Sequence, residues 1–272
     1  MNPIDALFRD LRAAGRKAFM PFLTGGDPDL AFTKDALTAV AAAGAHLVEV
    51  GLPFSDPIAD GPVIQASYTR ALNAKLKLGD LFATLKQTAA QPGWKTPMVA
   101  MGSYTLIYKR GAAAFIQQAK AAGLSGAVLP DLPVEEAEEF AKVAADHDFK
   151  PILLVTPTTS PARAEKIVKA CGGFVYVVSI VGITGERDRM PVAITDMIAR
   201  LRNLTDLPLC VGFGVSKPEH VTELRTLVDG VIVGTAMVRK LEQAGQPGQR
   251  EKALTELKAS VQALVVALNP TP

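Results

Sequence analysis

Glu49 stands between two valines in the apolar run His46-Leu47-Val48-Glu49-Val50-Gly51. Burial opposes ionisation, so a glutamate in such a run can hold its proton near neutral pH and act as a general acid or base. The same placement also suits a carboxylate held by a structural arginine or by backbone donors. The segment that follows, Leu52-Pro53-Phe54-Ser55-Asp56-Pro57-Ile58-Ala59-Asp60-Gly61-Pro62, is long for a connection and stiffened by prolines. It carries two further carboxylates, Asp56 and Asp60. A lone loop aspartate is usually a turn former or helix cap, but two of them directly after Glu49 make an acid–base cluster a real alternative.

Three glycine-bearing segments lie late in the chain: Gly182-Ile183-Thr184-Gly185, Gly212-Phe213-Gly214-Val215-Ser216 and Gly234-Thr235. Glycines let backbone N–H groups approach an anion closely, and a following helix N-terminus favours negative charge there. Tight turns alone would explain any one of them; three together point to a phosphate. GFGVSK is not a dinucleotide fingerprint, because its sixth position is Lys217. His46, His147 and His220 have no metal-ligand spacing, and Cys171 and Cys210 make neither a CxxC pair nor a disulfide framework. No metal site is expected, and no GxSxG elbow or Walker loop occurs.

These groups need elements to hold them. Short apolar runs at 19–23, 47–51, 98–101, 127–129, 152–155, 175–179, 209–212 and 231–234 read as strands, without the strict alternation of a half-exposed sheet. Helical patterns lie between them at 30–43, 62–74 with a second piece from 80, 112–122, 134–146, 161–170, 194–204 and 218–227. One further helix, 4–14, precedes the first strand and another, 250–268, ends the chain. Strict alternation permits an open doubly wound sheet or a closed barrel, and eight runs favour the barrel. The expected architecture is therefore α/β, a (β/α)8 TIM barrel with an extra N-terminal helix, formed by residues 1–272 as a single domain. In a barrel, functional groups sit where the strands end. Those positions read Thr24, Gly51, Gly102, Pro130, Thr156, Ser179, Gly212 and Gly234, so a covalent lysine mechanism is disfavoured.

Composition narrows the classes further. Hydrophobic residues make up 49% and charged residues 21% of 272, which fits a packed core rather than a disordered chain. A formal net charge of +2 supplies no field for a nucleic-acid backbone. No apolar run approaches the roughly 18 residues of a membrane span, and the charged N-terminus does not read as a signal peptide. A soluble, cytoplasmic chain is expected, with no membrane or nucleic-acid partner. What remains is a phosphate-anchored small molecule worked on by carboxylates. If a carbon–carbon bond breaks, the substrate itself must accept the electrons.

The chain closely resembles the tryptophan synthase α subunit family over nearly its whole length. The resemblance is carried by Pro21-Phe22-Leu23-Thr24-Gly25-Gly26-Asp27-Pro28, the Glu49 to Gln65 stretch, Pro130-Asp131-Leu132-Pro133-Val134-Glu135-Glu136 and the three glycine segments. It implies a lyase of tryptophan biosynthesis that cleaves indole-3-glycerol phosphate to indole and glyceraldehyde 3-phosphate, with no cofactor in this subunit. Protonation at indole C3 then provides the electron sink. The family pattern makes Glu49 the proton carrier and Asp60 the partner of the indole N–H. It places Tyr176 and Phe22 beside the substrate and the phosphate against Gly185, Gly214, Gly234 and Thr235, with Gly212, Phe213 and Ser216 adjacent.

It further implies a pyridoxal-phosphate β subunit in an α2β2 heterotetramer, signalled to by the loop of Pro53 and Asp56, and a lid at 182–191. Ser103-Tyr104-Thr105 and Val63 depart from the commonest family pattern, which affects the pocket shape, the β-subunit contact and one hydrogen bond near Asp60. Two rival readings are another phosphate-binding barrel enzyme and a protein that mainly activates the β subunit; the Glu49 and Asp60 segment weighs against both.

Overall fold

The computed structural model describes residues 1–179, 193–212 and 214–270. Its strands are β1 (Ala18–Thr24), β2 (Val48–Gly51), β3 (Met98–Met101), β4 (Leu124–Val128), β5 (Lys150–Ile152), β6 (Leu154–Val155), β7 (Val175–Val178), β8 (Leu209–Gly212) and β9 (Gly230–Val233). Among the described residues the helices are α1 (Pro3–Ala13), α2 (Leu30–Ala42), α3 (Pro62–Asn73), α4 (Leu78–Ala89), α5 (Tyr104–Tyr108), α6 (Ala112–Ala121), α7 (Glu138–Asp146), α8 (Pro161–Ala170), α9 (Ala193–Arg202), α10 (Pro218–Leu224), α11 (Thr235–Leu241) and α12 (Arg250–Leu268).

The strands form one parallel sheet in the order β5-β4-β3-β2-β1-β9-β8-β7-β6. The expected fifth strand is split at Leu153: β5 pairs with β4, and β6 pairs with β7. The sheet therefore closes on itself through Leu153, whose carbonyl still accepts from the Tyr176 N–H. The expected eightfold barrel and its leading helix are both present, the nine strands being eight with one divided.

Strand period two sorts side chains into two apolar layers. Val48 and Val50 face the surrounding helices, together with Phe19, Val175, Val211 and Val231. Leu47 faces the barrel interior with Met20, Phe22, Val99, Tyr176, Cys210 and Ile232. Glu49, in the same phase as Leu47, therefore points inward. At the base, Ile4, Phe8 and Leu11 of α1 join this inner cluster, and the Phe8 ring lies 5.9 Å from that of Phe174. The periodicity of α1 accounts for this, because positions 4, 8 and 11 share one helix face.

Other differences from the expected elements are local. The expected 134–146 helix is a 3-10 turn, Val134–Glu136, followed by α7. β4 begins at Leu124, earlier than the apolar run suggests, because Ser125 and Gly126 interrupt the pattern. Gly126 is required there: a Cβ would come within 2.6 Å of the Lys150 carbonyl oxygen. α10 ends at Leu224, after which the chain turns into β9. The short helices α5 and α11 are additional to the expected set.

α3 is tied firmly to the upper end of β1. The Thr24 and Ser67 hydroxyls are 2.6 Å apart. The buried Asp27 carboxylate accepts from Arg70 Nε at 2.9 Å and from Nη2 at 2.6 Å, a bidentate pair of the strong kind. The start of α3 is thereby fixed relative to the barrel mouth.

Candidate active site

β1 and β2 pair so that Phe22 lies opposite Glu49, and both face a cavity at the C-terminal ends of the strands. Atom-free space there is about 800 Å³, part of it open to solvent. Glu49 and Asp60 line one region, and Phe22, Ile64, Tyr176 and Ile232 supply an apolar wall. Gly214, Val215, Ser216, Gly234, Thr235 and Ala236 form another part of the lining, joined by Arg239.

Glu49 is 2% exposed, and its Oε1 has no hydrogen-bond partner. Burial first, and the Asp60 charge second, push its carboxyl up to about 8. The Asp60 carboxyl is raised to about 7, by burial and then by the nearby Asp131 charge. Asp60 Oδ1 is likewise buried without a partner. Val63, an apolar residue packed against the inner cluster, offers it no hydrogen bond. The Asp60 backbone is held by α3 instead, since Gln65 Nε2 donates to its carbonyl at 2.8 Å. Asp131 is fixed by the Ser103 hydroxyl at 2.6 Å and the Tyr104 N–H at 2.8 Å. The departure at Ser103 thus builds a clamp at the start of α5, where Ser103 also accepts from the Thr105 N–H.

Two glycines make the aromatic wall possible. A Cβ at Gly51 would collide with the Phe22 ring, and one at Gly212 would collide with the Tyr176 ring and hydroxyl. Gly212 thus gives Tyr176 its room, and its carbonyl accepts from both the Ser179 N–H and the Ser179 hydroxyl. Gly214 adopts φ 79°, in the left-handed region that favours glycine. Gly234 precedes α11, and no bond within the helix is available to the N–H groups of Thr235 and Ala236 in its first turn.

Of the residues expected from sequence, the structure therefore brings Glu49, Asp60, Phe22, Tyr176, Gly214, Gly234 and Thr235 to one cavity, with Gly212 beneath Tyr176. Pro53 and Asp56 lie on the connecting loop, and Asp56 lines a smaller cavity that shares Asp60 and Met101 with the main one. Gly185, Phe213 and the segment 182–191 lie outside the described residues. Arg239 was not singled out in sequence, because α11, which carries it, is too short to show a helical period. No group of three or more His, Cys, Asp or Glu side chains able to hold a metal occurs among the described residues.

The family profile described as tryptophan synthase alpha chain matches residues 8–269. The tryptophan synthase alpha chain of Rhodopirellula baltica is 48% identical over 90% of this chain and 88% of its own length. The crystal structure of tryptophan synthase subunit alpha from Legionella pneumophila superposes with a TM-score of 0.89 at 32% identity, covering 100% of both chains. A crystal structure of tryptophan synthase from M. tuberculosis in an aminoacrylate-bound form gives 0.86 at 29% identity, covering 99% of this chain and 100% of that one. By the extent of the profile match and by near full-length identity, the chain belongs to the tryptophan synthase alpha chain family.

Proposed function

We propose that this chain cleaves indole-3-glycerol phosphate to indole and glyceraldehyde 3-phosphate, with Glu49 carrying protons and Asp60 stabilising the charge that develops on the ring. The single observation that carries the reading is the pairing of two carboxylates, each with a buried unpartnered oxygen, at one apolar-walled cavity that also holds the glycine turns.

The chemistry balances without a cofactor. Protonated Glu49 gives its proton to indole C3, and the ring becomes an iminium whose N–H donates to ionised Asp60. The bond from C3 to the side chain then breaks, its electron pair neutralising the iminium. The adjacent hydroxyl becomes the aldehyde and returns a proton to Glu49, now a carboxylate. Asp60 acts by electrostatics in a partly dry site. Phe22 and Tyr176 would flank the ring. The phosphate would rest on backbone N–H groups around Gly214, Gly234 and Thr235, where the buried, unpartnered Ser216 hydroxyl offers a further donor.

In the same reading the chain works as one domain in the cytoplasm, in an α2β2 assembly whose β subunit carries pyridoxal phosphate. The loop of Pro53 and Asp56 supports a partner face, because its Ile58 is 86% exposed and Tyr108 of α5 is 76% exposed. No described helix is long and apolar enough to cross a membrane.

Glu49→Gln tests the reading. It should abolish nearly all indole release, by a factor of at least about 100, while binding of indole-3-glycerol phosphate remains measurable by calorimetry. Ordinary turnover in that variant would show that the proton carrier lies elsewhere.

A further inference from the structure

Tyr68 is a buried tyrosine that the mechanism above leaves unused. It lies on the barrel-facing side of α3, is 2% exposed, and its hydroxyl has no hydrogen-bond partner. The hydroxyl reaches into the barrel beside Gly51, where an added Cβ would come within 3.0 Å of it. A buried phenol without a partner is costly, and such groups call for a physical explanation. Tyr68 and Asp60 line the same small cavity; Asp60 Oδ1 and Glu49 Oε1 are also buried without a partner, and of these two carboxylates only Asp60 lines that cavity with Tyr68. Helical side chains lean toward the helix N-terminus, and Asp60 immediately precedes that end of α3. Burial first, and then the Asp60 and Glu49 charges, hold the phenol well above its ordinary value, so Tyr68 stays neutral and serves as a donor.

We propose that Tyr68 is the positioning residue for Asp60: when Asp60 ionises, its carboxylate accepts a hydrogen bond from the Tyr68 hydroxyl, directly or across one water molecule. The donor orients Asp60 toward the ring N–H and favours its charged form. The charged and titratable groups around Asp60 are Glu49 from β2, Tyr176 from β7, Asp131 and Asp56 from loops, and Arg239 from α11. Burial and the Asp131 charge oppose ionisation of Asp60, and Tyr68 brings a neutral donor from α3 to the side of its carboxyl group. The catalytic part of the inference rests on the function proposed above; the hydrogen bond does not.

The test is Tyr68→Phe, which keeps the ring and removes only the orphaned oxygen. Carbon-13 NMR titration of the Asp60 carboxyl, in the full chain without ligand, should show its midpoint raised by about one pH unit, the size of one hydrogen bond to a charged group. The acidic limb of kcat/KM should move up equally, with kcat lowered more than KM is raised. Unchanged thermal melting would show that packing survives. Placing 3-fluorotyrosine at position 68, a more acidic donor, should move the midpoint the other way. An unmoved midpoint in both variants overturns the proposal, whether or not the chain cleaves its substrate. A shifted midpoint in a chain that releases no indole would leave the positioning role intact and refute the reaction.

Discussion

At the scale of residues, the two carboxylates proposed to carry the chemistry share one cavity, and burial raises both, Glu49 to about 8 and Asp60 to about 7. The Asp60 charge is the second cause, after burial, that raises Glu49, so ionisation of Asp60 favours retention of the Glu49 proton, which is the combination the proposed reaction needs at its start. The two interact, so these are apparent values of a pair. The arrangement has a cost in stability whose sign follows from linkage. Both carboxyls have folded-state values raised above those of the unfolded chain, so the folded state binds more protons between about pH 4 and pH 8. Their contribution is complete below the unfolded values and is lost as pH rises through the folded ones. Denaturant unfolding of the chain should therefore give a free energy that falls from pH 5 to pH 9. Glu49→Gln should remove on the order of a few kcal/mol of that fall, and an equally steep decline in the variant would show that Glu49 ionises freely in the folded chain.

At the scale of elements, α3 does more than cover the barrel. Its bonds to β1 and to the loop that follows hold the segment that carries Asp60 and Tyr68, and the Asp27–Arg70 pair is the strongest of them. Asp27→Ala should cost on the order of 2–4 kcal/mol in chemical unfolding and reduce turnover, because the start of α3 loosens. A loss below about 1 kcal/mol would show that packing alone holds the helix. The strands were legible because parallel strands buried on both faces leave continuous apolar runs, as in β1, β3 and β8. β4 was harder, since Gly126 serves a close approach to β5 that a single sequence does not display. Glu49 stood out because a charge inside such a run is conspicuous. Tyr68 did not, because an aromatic on the buried face of a helix reads as core, and its unpaired oxygen exists only once the barrel is closed. α5 and α11 escaped notice because each is too short to show a helical period.

At the scale of the whole molecule, the described segments around the cavity expose Ile58 and Tyr108, while the inner face of the barrel below is packed with apolar side chains. The partner reading places the β subunit on those segments, near Ile58 and Tyr108, where docking would order the loop that ends in Asp60. Steady-state assays should show slow indole release by the isolated chain and an increase of at least tenfold on addition of the β subunit; equal rates would remove the signalling role given to Pro53 and Asp56. Traffic through the site is constrained from below as well. Ile4, Phe8 and Leu11 stopper the barrel under the carboxylates, so a freed aromatic product has no exit through the floor. The cavity instead opens to solvent at the C-terminal ends of the strands, so release on that side would deliver the product to whatever docks there.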